Sequence, residues 1–351
     1  MAATRPLSVL DLVPVRAGAT TGDSLSESVA LAQLAERLGF VRYWFAEHHG
    51  MASIASSAPE ILIGHIASAT SRIRVGSGGI MLPNHAPLRV AEVFHTLQAL
   101  HSGRIDLGIG RAPGTDPATS RALRPFDSDQ FAAQVHELLG LSRRTLSEDH
   151  PFARVRVVPG DVALPPVWVL ASSGATAAFA GSLGLGYAFA RHFSPNPPGP
   201  AIRAYRERFT PSADFPQSHV VVGVSVVCAP TDEEADYLAR SSDLAWVRLH
   251  RGEFGLPLPS PEEAAQYAYS AQERVVVDAN RLRHFIGSPP RVAGFLRHLA
   301  EETGADEMMV TSAMYGKAER FRSYEMLAEE WGLAAQDVDR RRGDGSSDAL
   351  D

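Results

Sequence analysis

Short apolar runs alternate with longer amphipathic segments from residue 7 to residue 331. "LSVLDL" (7–12), "FVRYWFA" (40–46), "IRVGSGGIML" (73–82) and "RIDLGIG" (104–110) have the length and apolar content of buried strands. "PVWVLASS" (166–173), "LGYAFARHF" (185–193), "HVVVGVSVVCAP" (219–230) and "DEMMVTS" (306–312) repeat the signal. Between them, residues 24–39, 59–71, 87–103, 127–142, 174–184, 199–209, 231–251 and 317–331 read as helices. Their boundaries carry the expected punctuation. Ser24 with Glu27 reads as a capping box, Gly39 as a stop, and Thr231 with Glu234 as another start. Pro59 suits a first helical position.

Strands apolar on both faces need cover on both sides, which a parallel sheet ringed by helices supplies. Eight such units predict an α/β fold, a (β/α)8 TIM barrel with insertion loops at its C-terminal face. An open doubly wound sheet is the alternative, but no Gly-x-Gly-x-x-Gly follows the first strand. Residues 1–335 then form a single domain. Residues 252–290 break the rhythm, and an insertion of that length with its own short helices reads as a lid or mouth element. Residues 336–351 have almost no apolar content and predict a disordered tail.

Composition narrows the partners. A net charge of -7 with no basic face argues against nucleic acid. Cys228 is the only cysteine, so neither a disulfide framework nor a thiolate metal cluster is expected, and its place on a strand makes it a packed core residue. No stretch approaches 18 consecutive apolar residues and the N-terminus lacks a signal-peptide core, so a soluble, cytoplasmic protein without a membrane partner is expected.

In a barrel the working face lies at the C-terminal ends of the strands. Those ends read "AEHHG", "GSGGIMLPNH", "GRAPG", "ASSGAT" and "ARHF". Ser172, Ser173, Gly174 and Thr176 lie where a strand becomes a helix, which makes either a phosphate-type anion site or a plain N-cap. Arg111 is placed to neutralise such an anion or to pair with a surface carboxylate. Gly78 and Gly79 let a flat ligand approach the main chain, or mark a bulge and tight packing. His48 and His49 follow a strand and point to opposite sides, so they cannot share a cavity. A metal site would need further ligands, yet His65, His95, His101 and His136 fall on helices and His85 and His192 are isolated in loops. A general base or hydrogen-bond donor beside a structural histidine is the preferred reading, and a purely structural pair the other.

Five stretches, "WFAEHHG", "RVGSGGIMLPNHAPLRVAE", "GRIDLGIGRAPG", "SRAL" and "VWVLASSGATAAFAGSLGLG", taken in this order, resemble the bacterial luciferase-like flavin-dependent monooxygenases. The resemblance runs from about residue 7 to residue 331. It implies that His48 is the catalytic histidine beside the flavin and that Gly78 and Gly79 are joined by a cis peptide under the ring. It implies that Arg111 and Arg121 reach the phosphate together with Ser172, Ser173, Gly174 and Thr176, and that residues 252–290 form a mobile lid. Reduced FMN from a separate NAD(P)H:flavin reductase, O2 and a small organic substrate are the implied partners, with oxygen transfer through a flavin peroxide. The family also implies a homodimer, and "IGRAPGTD" points to members tied to secondary metabolism. Two departures weigh against a long-chain aldehyde and light emission: Ser172 stands where the luciferases have an acid, and Gly110 where they have a cysteine. Deazaflavin F420 hydride transfer, a flavin-binding protein without turnover and a metal hydrolase using Glu47 and His48 are the rival readings.

Overall fold

A computed structural model of the protein describes residues 5–124 and 127–334, so the tail expected at 336–351 lies outside the described residues. The strands are β1 (Leu7–Asp11), β2 (Arg42–Phe45), β3 (Arg74–Ser77), β4 (Ile80–Met81), β5 (Ile105–Gly110), β6 (Val167–Leu170), β7 (Gly186–Ala190), β8 (Val220–Cys228), β9 (His284–Gly287) and β10 (Glu307–Thr311). Every pairing is parallel, in the order β1, β2, β3, β5, β6, β7, β8, β10, and β10 returns to β1. The sheet is therefore a closed (β/α)8 TIM barrel rather than an open one. Leu10, Trp44, Trp168, Val221 and Met309 fill its interior, with Trp44 and Trp168 edge to face at 5.4 Å. A larger apolar shell packs the outer strand faces against the helices.

The third expected strand is broken in two. Gly76 pairs with Asp106 and Ile80 with Ile109, so four residue steps on one side face three on the other. This is a bulge of one residue. Ser77 bridges the gap: its Oγ donates to Gly108 O at 2.8 Å and accepts from Gly108 N at 3.0 Å. Gly78 and Gly79, joined by a cis peptide bond, complete it.

The first helix, Thr21–Leu38, begins one turn before the expected Ser24. Two capping patterns lie one turn apart, and Thr20 with Asp23 forms the reciprocal box. Ser24 and Glu27 are instead buried within the helix, Glu27 holding Arg16. Gly39 does stop the helix, at φ 90°, where a Cβ would lie 2.6 Å from Ala334 O.

The insertion at 252–290 carries short helices, as its sequence predicts. It contains the helices Pro261–Gln266 and Ala271–Arg281 and then β9. The helix Pro289–Thr303 follows, where sequence patterning leaves 291–305 unassigned; it buries Val292, Ala293, Leu296, Leu299 and Ala300. Between helix Asp232–His250 and Pro261, the chain crosses the mouth of the barrel. Leu258 exchanges backbone hydrogen bonds with Val15 and Ala17, and Phe254 O accepts from Ala52 N. β8 has only two edges. β10 occupies one, so β7 (Val220–Gly223 of β8) and β9 (Ser225–Cys228) share the other.

Candidate functional site at the barrel mouth

The loop after β2 is organised by Glu47, whose side chain is fully buried. Its Oε1 accepts from His49 Nε2 and His85 Nε2, both at 2.8 Å, and its Oε2 from Met81 N at 2.8 Å. Burial pushes its pKa up, but these hydrogen bonds prevail and hold it at about 2. Reciprocally, burial disfavours a charged His85, yet the carboxylate outweighs it and raises the His85 pKa. His85 is therefore not an isolated loop residue: it ties the β4 loop to the β2 loop. With both oxygens engaged, Glu47 is an anchor rather than a base for hydrolysis.

His48 turns the other way from His49, as expected. Its Nδ1 is buried and has no partner among the described residues. Burial, then the proximity of His192, lowers its pKa to about 4, so the ring is neutral at physiological pH. His192 is the site residue that sequence reading missed by treating it as isolated. Its backbone N donates to Gly223 O at 3.0 Å, and its Nδ1 lies 3.1 Å from where a Gly223 Cβ would be, so β8 needs glycine there. A third imidazole, His284 at the start of β9, is held at about pKa 3 by burial and by His192 beside it. The Nδ1 atoms of His192 and His284 are buried as well; that of His284 has no partner among the described residues, and that of His192 has only the Gly223 backbone beside it. The signal that could have found them is a repeat: "RHF" occurs at 191–193 and again at 283–285.

The anion-site residues occupy neighbouring mouths. Gly110 of β5 pairs with Leu170 of β6, so Arg111 emerges beside Ser172 and Ser173. Arg111 is exposed, with no side-chain partner among the described residues. Arg121, in the last turn of the helix Pro117–Leu123, is exposed likewise. Ser173 caps the helix Gly174–Ser182, its Oγ accepting from Thr176 N at 3.4 Å and donating to Thr176 Oγ1 at 2.9 Å. The plain N-cap is thus real, and Ser173 with Thr176 is occupied by it. Ser172 stays exposed; of the first-turn N–H groups Thr176 N is taken by the cap, whereas Gly174 N and Ala175 N have no intrahelical acceptor.

The glycine pair serves packing on its side-chain side. A Cβ on Gly78 would fall 2.7 Å from Leu10 Cδ1, and one on Gly79 2.8 Å from Gly108 O. A side chain on Gly110 would meet Met81 Sδ at 3.0 Å, which leaves little room for a cysteine. Cys228 is buried on β8, and burial pushes its thiol up to about 12, so it is inert core. A cavity of about 420 Å³ lies at the other end of the barrel, where Arg42, Arg74, Asp106 and His219 line it. Arg42 pairs with Asp106 and Glu307, Arg74 with Asp106 and His219 with Glu307, so those charges are internally neutralised. No described helix is long and apolar enough to cross a membrane.

Comparison with known proteins bears on the family and the fold. The protein YvbT of Bacillus subtilis (strain 168), which is uncharacterized, is 44% identical over 93% of this chain and 96% of its own length. The N-acetyl-S-alkylcysteine monooxygenase of the same organism is 32% identical over 92% of this chain and 97% of its own. The crystal structure of apo-MsnO8 superposes with a TM-score of 0.82 at 38% identity, covering 95% of this chain and all of that one. The sequence profile of the luciferase-like monooxygenases spans residues 6–321, from the first barrel strand into the last helix and through every mouth described above, and the chain belongs to that family.

Proposed function

We propose that the protein is an FMN-dependent monooxygenase that takes reduced FMN from a separate NAD(P)H:flavin reductase and uses O2 to oxidise a small organic substrate. The observation that carries this reading is a neutral His48 whose buried Nδ1 has no partner among the described residues, at a barrel mouth where Arg111, also without a side-chain partner among the described residues, stands beside the start of the helix Gly174–Ser182. A planar ring with a phosphate tail matches both ends of that arrangement. A related chain at 32% identity is named as a monooxygenase, and the same fold holds FMN in the oxygenating constituent of 3,6-diketocamphane monooxygenase.

Arg111 and the first-turn N–H groups after Ser173 would hold the phosphate, with Ser172 and Arg121 at its edge. Gly78 and Gly79 give the ring a side-chain-free floor. When bound, reduced FMN supplies the electrons that activate O2. His48, neutral and able to donate or accept at Nδ1, holds and delivers a proton beside the reacting centre. The segment 252–260, laced to Val15, Ala17 and Ala52, acts as the cover that keeps water out. Residues 1–335 work as one domain in this scheme.

The same fold carries an F420-acetone adduct in a secondary alcohol dehydrogenase, so F420 hydride transfer is the reading to test against. Anaerobic titration with reduced FMN and with reduced F420 separates them. FMN binding at least about tenfold tighter supports the proposal, a difference of about 1.4 kcal/mol; tighter F420 binding contradicts it.

A further inference from the structure

The two Arg-His-Phe segments meet at one place in the fold. Arg191 and His192 follow β7, Arg283 and His284 lead into β9, and both strands lie on the same edge of β8. Arg191 joins them directly: its Nη2 donates to Leu282 O at 2.9 Å and its guanidinium lies over the Phe285 ring at 5.8 Å. Arg283 lies over the Trp246 ring at 5.4 Å.

This cluster has a shared deficit. Arg191 Nη1, Arg283 Nε and His284 Nδ1 are buried with no hydrogen-bond partner among the described residues, and the buried His192 Nδ1 has only the Gly223 backbone beside it. Buried polar atoms are seldom left so. Guanidinium nitrogens only donate, so whatever completes this set must bring acceptors. Neither arginine has a carboxylate in ion-pair contact among the described residues; Glu302 acts on Arg191 only from a distance. By contrast Arg281, next in line, is satisfied by Asp236 and Asp243. Around the cationic centre stands an apolar rim, with Phe193 64% and Leu282 78% exposed and Phe193 6.3 Å from Trp246. A charged acceptor carried on an apolar body fits both features, whereas an inorganic anion fits only the first.

We propose that Arg191, Arg283, His192 and His284 form the head-group site for a carboxylate-bearing organic substrate, held between the end of β7 and the start of β9 beside His48. The site is separate from the phosphate position at the β5 and β6 mouths. It rests on the monooxygenase reading only in calling the ligand a substrate.

The test uses the full chain without flavin, titrated by calorimetry with hexanoate, phenylacetate and N-acetylmethionine and with the methyl ester of each. At least one acid should bind about tenfold or more tightly than its ester. Arg191→Met and Arg283→Met should each erase that preference, while Arg191→Lys and Arg283→Lys keep part of it. No acid exceeding its ester, or a preference that survives both Met variants, overturns the proposal. The acid-against-ester comparison needs only the unaltered protein, so a variant that failed to fold would still leave it decided. If reduced FMN failed to bind while the acid preference held, the cofactor assignment would fall and the anion site would stand.

Discussion

His49 turns its Nε2 onto Oε1 of Glu47 at 2.8 Å, and this closure of the loop after β2 leaves the intervening His48 on the opposite side, toward His192. Two adjacent histidines thereby take separate duties. One anchors a buried carboxylate and the other presents a neutral imidazole to the barrel mouth.

The division of labour predicts the behaviour of His48→Ala. Reduced-FMN affinity should stay within about threefold while substrate oxidation falls about 10²–10⁴-fold, the range for loss of a proton-transferring group. Stopped-flow mixing of the loaded protein with O2, with product analysis, measures both. Loss of flavin with unchanged turnover per bound flavin would contradict the assignment.

Glu47 gives a pH dependence of stability. Its pKa is depressed in the fold, from an ordinary 4.5 to about 2, so its stabilisation is complete above about pH 4.5 and is lost as pH falls toward 2. His85 has the opposite sign: raised above 6.5, it stabilises below that value and ceases to as pH rises through its folded pKa. Glu47→Gln should cost about 1–3 kcal/mol near neutral pH and flatten part of the acid limb in urea denaturation. An acid limb identical to that of the unaltered protein would refute the role of Glu47.

Arg320 and Asp11 close the barrel seam. Arg320 Nη2 contacts Asp11 Oδ1 at 2.6 Å in full burial, and Ser28, Tyr43 and Val13 N complete the carboxylate. Removing one partner of a buried pair leaves the other charge uncompensated, so Arg320→Met should destabilise by about 3–5 kcal/mol. The second change Asp11→Asn should recover part of that loss, read by the same denaturation series.

Two glycines should respond in opposite directions to alanine. A Cβ on Gly108 would sit 2.1 Å from Ser77 O across the bulge, so Gly108→Ala should cost at least about 1–3 kcal/mol. Gly294 lies exposed within helix Pro289–Thr303 with nothing near its missing Cβ, so Gly294→Ala should gain about 0.5–1 kcal/mol. Thermal melts of the pair distinguish packing from backbone entropy.

The barrel was legible in the sequence because its strands are buried on both faces and its helices carry distinct starts and stops. Local competition hid the rest. Thr20 and Ser24 offer equivalent caps one turn apart, and only the burial of Ser24 against the barrel decides between them. Pro289 and Pro290 read as the end of the lid insertion, although they open a helix whose apolar face becomes visible only once β9 is placed. His192 and His284 are 92 residues apart in sequence and meet because both follow one edge of β8. The repeated "RHF" is the only local trace of that meeting. The adjacency of Arg111 to Ser172 and Ser173 was readable because paired barrel strands place their mouths side by side.

The cofactor assignment is tested most directly by anaerobic titration of reduced FMN against the unaltered protein and Arg111→Ala in parallel. Saturable binding to the first, weakened about tenfold or more in the second (about 1.4 kcal/mol), is the expected result. Equal affinity for both proteins, or no binding to either, would contradict a phosphate held at the β5 and β6 mouths.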